Sequence, residues 1–192
     1  MGLFKDLPVL SFESQAEWRE WLDGHHSESQ GLWLRIFKKG SARATVTYAE
    51  ALDEALCFGW IDSAKARYDD QSFLQRFSPR RARSIWSKIN QEHVARLIGS
   101  GKMHPEGQRA IEESKRNGAW DLSYDSQSRA AIPQDFQALL DRTPAAREFF
   151  ESLDAANRYA FLFRIQTSKK PETRARKLKW ALEKLENGEK LH

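Results

Sequence analysis

Residues 60–78, WIDSAKARYDDQSFLQRFS, constrain this chain more than any other stretch. Two strand-like runs flank Asp69-Asp70-Gln71, and aspartates favour turns because their carboxylates hydrogen-bond to nearby backbone. The pattern predicts an antiparallel hairpin. Pro79 closes its second strand, since proline cannot donate to a ladder. A third strand is expected in GLWLRIFKK (31–39), where Leu32, Leu34 and Ile36 alternate with Trp33, Arg35 and Phe37.

Helix signals surround these strands. Ser14 with Glu17 reads as a capping box, with Trp18, Trp21 and Leu22 on one face behind it, which predicts a helix over about 14–25. Thr47 with Glu50 starts a second, carrying Ala51, Leu52, Ala55 and Leu56 and stopping at Gly59. Asn90 is expected to cap a third, with Val94, Leu97 and Ile98 inward and Gly99 and Gly101 at its end. Pro105 opens a fourth that runs to Gly118. The helices around Ala51 and Val94 are expected to cover one sheet face.

The character changes near residue 120. The polar stretch DLSYDSQSRAAIP reads as a linker, and helical segments follow over 133–141, 143–153, 155–167 and 171–186. Tyr159, Leu162 and Phe163, with Leu178, Leu182 and Leu185, are the expected core of this part. The expected fold is α+β, a small antiparallel sheet flanked by helices and followed by a C-terminal helical unit. The domain boundary is expected between 128 and 129.

Composition narrows the function classes. Charged residues make up 30% of the chain, and the longest aromatic-aliphatic run, YAFLF at 159–163, is far short of the roughly 20 apolar residues of a membrane-spanning helix. The N-terminus MGLFKDLPVLSF lacks the features of a signal peptide, and Asp6 stands where a myristoylation signal wants Ser or Thr. A cytoplasmic protein with no membrane insertion is expected. The single cysteine, Cys57, reads as a small buried hydrophobe. The pairs His25/His26 and His93/His104 lack zinc-site spacing, and phosphate-loop, dinucleotide and Gly-x-Ser-x-Gly patterns are missing. Neither a metal nor a cofactor is expected.

Net charge is only +4, but it is uneven: residues 75–102 hold seven cations and one acid. Their centre is RFSPRRARSIWSKIN (76–90). Arg76, Arg80 and Arg81 offer planar forks that match phosphate or carboxylate. Ser84, Ser87 and Asn90 add small polar groups, Trp86 an aromatic face, and a helix start at Asn90 would add free N–H groups. Trp60 and Asp62 share a strand face, from which Asp62 is expected to meet Arg76 or Arg80 and hold it in place. The block therefore reads as an anion cradle built from Trp60, Asp62, Arg76, Arg80, Arg81, Ser84, Trp86, Ser87 and Asn90. Against this stands the plainer alternative of Arg76 pointing out from an edge strand, Trp86 in the core, and solvated neighbours. A second basic group, including Lys169 and Lys170, reads as helix-end electrostatics, the two lysines closing one helix.

Three blocks carry a family resemblance: EALCFGWIDS (54–63), RFSPRRARSIWSKIN (76–90) and NRYAFLFRIQTSKKPETRARK (157–177). Over most of its length, from about Phe12, the chain resembles the YdeI/OmpD-associated family of bacterial proteins, also called bacteriocin-protection proteins. The resemblance implies a stress-response role in tolerance of antimicrobial peptides and a helical OmpD-associated domain at the C-terminus; it brings no catalytic residues. The leading expectation is a non-enzymatic binding protein whose partner is an anionic small molecule or an acidic protein surface. Two alternatives stand beside it: a nucleic-acid-binding protein, and an enzyme acting on a phosphorylated or carboxylated metabolite.

Overall fold

The computed structural model describes residues 2–192, so the leader reading starts one residue outside it, at Met1. Two compact units emerge. One reaches to Ser84 and takes in Glu92–Asn117; the other comprises Ile85–Gln91 and Gly118–His192.

The first unit is built on a five-stranded sheet. Its elements are β1 (Gly2–Phe4), β2 (Leu7–Leu10), α1 (Gln15–His25), β3 (Leu32–Phe37), α2 (Tyr48–Cys57), β4 (Trp60–Arg67), β5 (Ser72–Pro79), α3 (Lys88–Gly99) from Glu92 onward and α4 (Pro105–Arg116). Strand order is β1-β2-β3-β5-β4, antiparallel throughout except for the β2–β3 pair. The α+β class is as expected, and the predicted hairpin is β4–β5. Asp69 holds its turn, its Oδ1 accepting from Gln71 N at 2.9 Å and from Ser72 Oγ at 2.7 Å.

The β1–β2 hairpin was not legible in the sequence. Lys5 and Asp6 both adopt positive φ, 48° and 66°, as a two-residue primed turn requires. Lys-Asp is a weaker signal for that turn than Asn-Gly, and Pro8 inside β2 argues against a strand.

Register separates the two faces. Leu32 faces Phe77, Leu34 faces Gln75 and Ile36 faces Phe73 on one side, while Trp33 faces Arg76 and Arg35 faces Leu74 on the other. Helix α1 covers the first side: Trp18 lies 5.7 Å from Phe77 and 6.4 Å from Trp60, ring centre to ring centre. Both buried indoles find acceptors, Trp18 Nε1 on Ala51 O at 3.0 Å and Trp60 Nε1 on His26 O at 3.2 Å. Helix α2 starts with the full Thr47–Glu50 capping box, and Gly59 supplies the positive φ that ends it. Helix α4 docks on the end of α2, where His104 N donates to Cys57 O at 3.1 Å.

Several expectations need correction here. Helix α3 starts at Lys88, and Ser87 Oγ accepts from Asn90 N at 3.2 Å, so Ser87 is the cap and Asn90 lies inside the first turn. Ile98 is 45% exposed and does not point inward. The helix around Val94 is tied to α2 through Asp53, which accepts from His93 Nδ1 at 2.9 Å and Arg96 Nη2 at 2.7 Å. Strand β5 is internal, between β3 and β4, so Arg76 is not on an edge.

The second unit contains α5 (Gln134–Arg142), α6 (Pro144–Ser152), α7 (Ala155–Gln166) and α8 (Pro171–Glu186). Its core joins Phe136, Leu140, Phe150, Phe161, Leu162, Ile165 and Leu185. Tyr159 and Phe163 flank rather than fill it, because α7 turns Phe161 and Ile165 inward. The polar stretch expected as a linker is hydrogen-bonded structure. Tyr124 N donates to Trp86 O at 3.1 Å, Lys88 N to Tyr124 O at 2.9 Å, and Tyr159 Oη to Asp125 O at 3.0 Å. Lys169 and Lys170 do not close α7, which ends at Gln166; Lys170 occupies the cap position before α8, the end of a helix that disfavours cations. No helix among the described residues is long and apolar enough to cross a membrane.

Candidate functional site

The face of the sheet opposite α1 carries the site. Register places Trp33 and Arg76 directly across from each other on adjacent strands, and Ser78 follows Arg76 on the same face. Such opposed residues lie about 4.5–5.5 Å apart at Cα. Beyond Pro79 the chain turns, with Arg80 N donating to Gly59 O and Ser84 N to Arg81 O, both at 2.9 Å. The β1–β2 turn brings Lys5 and Asp6 to the same place. The result is a cleft of about 650 Å³ lined by Arg76, Arg80, Arg81 and Lys5, with Trp33, Gln30 and Ser78. Asp6 is the one carboxylate in its lining. Among the described residues, neither Arg76 nor Arg81 forms an ion pair. A second cleft of about 350 Å³, lined by His26, Ser29, Trp60 and Arg109, shares Gln30, Pro79 and Arg80 with the first.

Three of the nine expected site residues thus meet: Arg76, Arg80 and Arg81. Trp60 is a core residue that reaches only the second cleft. Asp62 lies opposite Phe77, not opposite an arginine, and accepts from Tyr48 Oη at 2.8 Å. Burial holds its carboxyl above the usual carboxylate range, against the Tyr48 hydrogen bond and the nearby Arg80 charge. The same burial and the Asp62 charge push the Tyr48 hydroxyl well up. Ser84 sits half-buried in the turn after Arg81.

Trp86, Ser87 and Asn90 are buried parts of the second unit. Trp86 packs 5.0 Å from Trp120, ring centre to ring centre, and Ser87 forms a parallel bridge with Tyr124. Lys88 pairs with Asp125 at 2.9 Å. Cys57 is fully buried, and burial raises its thiol pKa to about 11, which suppresses the nucleophilic thiolate.

Sequence reasoning missed Lys5, Gln30, Trp33 and Ser78. Trp33 carried a signal, since it alternates with Leu32 and Leu34 and so had to face away from them. Lys5 and Gln30 carried none, because the turn and loop that place them show no periodicity.

An α+β unit with a cationic cleft beside its sheet, and a separate all-helical unit, together define a two-part chain. Residues 10–110, more than half of it, match the family described as a domain of unknown function (DUF8412), and the chain belongs to that family. Residues 129–188 match a second family, Bacteriocin-protection, YdeI or OmpD-Associated. The resemblance read across most of the sequence is thus matched over the helical unit. No curated protein and no solved structure gives a significant match to the chain.

Proposed function

We propose that this chain is a non-enzymatic binding protein that holds an anionic ligand in the Arg76–Arg80–Arg81 cleft, with the cytoplasm as its setting. The ligand is a small molecule or an acidic side chain of a partner protein, and its binding serves the bacteriocin-protection role that the helical unit's family name describes. One observation carries the reading: four cations line one cleft against a single carboxylate. Arginine forks set beside a sheet suit oxyanions in two-point contact. Binding is favoured over catalysis because Asp62, the carboxyl held above its usual range, is outside that lining and engaged by Tyr48.

The test is thermal unfolding in phosphate and in chloride at matched ionic strength. Phosphate also strengthens burial generally, so the comparison needs variants. Arg76→Gln with Arg81→Gln should lose the phosphate-specific rise in melting temperature, and Lys169→Gln with Lys170→Gln should keep it. Equal rises in the wild type and the arginine variant would show that the cations are merely solvated.

A further inference from the structure

We infer that the ligand of this cleft is a phosphomonoester with a hydroxylated organic part, and that the indole N–H of Trp33 is a specificity-determining donor to it. The inference rests on the anion-binding reading above and adds the ligand's class and a residue.

Trp33 is 3% exposed and lines the cleft, yet its Nε1–H has no acceptor among the described residues. The fold supplies acceptors for the buried indoles of Trp18 and Trp60. Leaving a buried donor unpaired is costly, and a site that needs a donor is one place where that cost is retained. Cross-strand pairing sets Trp33 directly opposite Arg76 on one sheet face, and both line the cleft, so a ligand held by Arg76 lies in the neighbourhood of Trp33.

Donor number then selects the anion. A carboxylate has two oxygens, and one arginine fork engages both. Arg76, Arg81, Lys5, Ser78 and the Trp33 indole line the cleft with more donors than two oxygens accept. A tetrahedral phosphate ester presents three terminal oxygens and a bridging one. The cleft, at about 650 Å³, is far larger than a phosphate group and falls in the range of organic-ligand sites. Asp6 and the Gln30 amide put acceptors in its wall, suited to hydroxyl groups and unsuited to a second anionic group.

Isothermal titration with ribose 5-phosphate, inorganic phosphate and glutarate separates these claims. Ribose 5-phosphate should bind the wild type more tightly than either of the others. Trp33→Phe keeps an aromatic ring while removing the N–H together with the rest of the five-membered ring that carries it; it should weaken ribose 5-phosphate roughly tenfold or more, the worth of one hydrogen bond to a charged group, and weaken glutarate, which is not expected to need that donor, far less. Its ligand-free melting temperature should not fall in proportion. As a measurement independent of that variant, one indole N–H resonance among the seven tryptophans should shift strongly as wild-type protein is titrated with ribose 5-phosphate.

Several results would overturn the inference. Unchanged affinity in Trp33→Phe, or no moving indole resonance, removes Trp33 from the site. Glutarate binding as tightly as ribose 5-phosphate removes the phosphate preference. Equal affinity for inorganic phosphate makes the free ion the ligand. In each of these cases the arginine variant still loses binding and the anion cleft stands. If no anion binds the wild type, the broader reading fails first. A single-stranded oligonucleotide that binds more tightly, with affinity falling steeply with salt, would reassign the cleft to nucleic acid.

Discussion

Asp62 shows how one residue's surroundings set its charge. Its carboxyl is displaced from water beside Tyr48, and burial outweighs the hydrogen bond and the Arg80 charge, so its folded pKa lies above the ordinary value near 3.9. A carboxyl with a raised folded pKa contributes its full stability below the unfolded pKa, and that contribution is lost as pH rises through the folded value. Asp62→Asn keeps an acceptor for Tyr48 and removes the titration. Chemical denaturation should find the variant more stable than wild type at pH 7, with the difference closing near pH 3.5. A variant less stable at pH 7 would mean that the Arg80 charge, not burial, dominates the site.

At the scale of elements, the meeting of α2 and α4 reverses a propensity rule. Gly107 lies inside α4, where alanine would ordinarily stabilise a helix by up to about 1 kcal/mol. A Cβ at this position would overlap the carbonyl oxygen of Cys57, a backbone atom at the end of α2 that also accepts from His104 N. Backbone cannot swing aside as a long side chain can. Gly107→Ala should therefore destabilise the protein by about 1–3 kcal/mol, measured by urea denaturation. The helix signal around Pro105 was plain in the sequence, but the need for glycine at 107 was not, because it is a demand of the neighbouring element.

For the whole molecule, strand edges decide how copies treat each other. Strand β4 is an outer strand of the sheet, and an open edge is a template for pairing with another chain. Two features blunt it. A register shift lies between Asp62 and Lys65, where Gln75 Nε2 donates to the carbonyls of Ser63 and Ala64 at 3.3 and 3.2 Å. Lys65, 4.1 Å above the Phe73 ring, and Arg67 put exposed charge on the strand. Replacing both with valine should increase concentration-dependent association over the wild type, read by light scattering after size exclusion. No increase would leave the irregular register as the sufficient guard.

The sequence by itself determined what depends on residues close along the chain. The Thr47–Glu50 box, the Asp69 turn, the proline-led helices α4, α6 and α8 and the alternation in β3 are local, so short windows contain their causes. It also marked Arg76, Arg80 and Arg81, because their clustering is itself local. Only the tertiary structure decided which partners complete them. Lys5 arrives by a primed turn and Trp33 by pairing of β3 with β5, across more than forty residues. The same basic block that looked continuous was divided, with Arg76, Arg80 and Arg81 lining a cleft in one unit and Trp86, Ser87 and Asn90 buried in the other. Burial of an indole or an amide is settled by what packs on it, and that packing comes from residues far away in the chain.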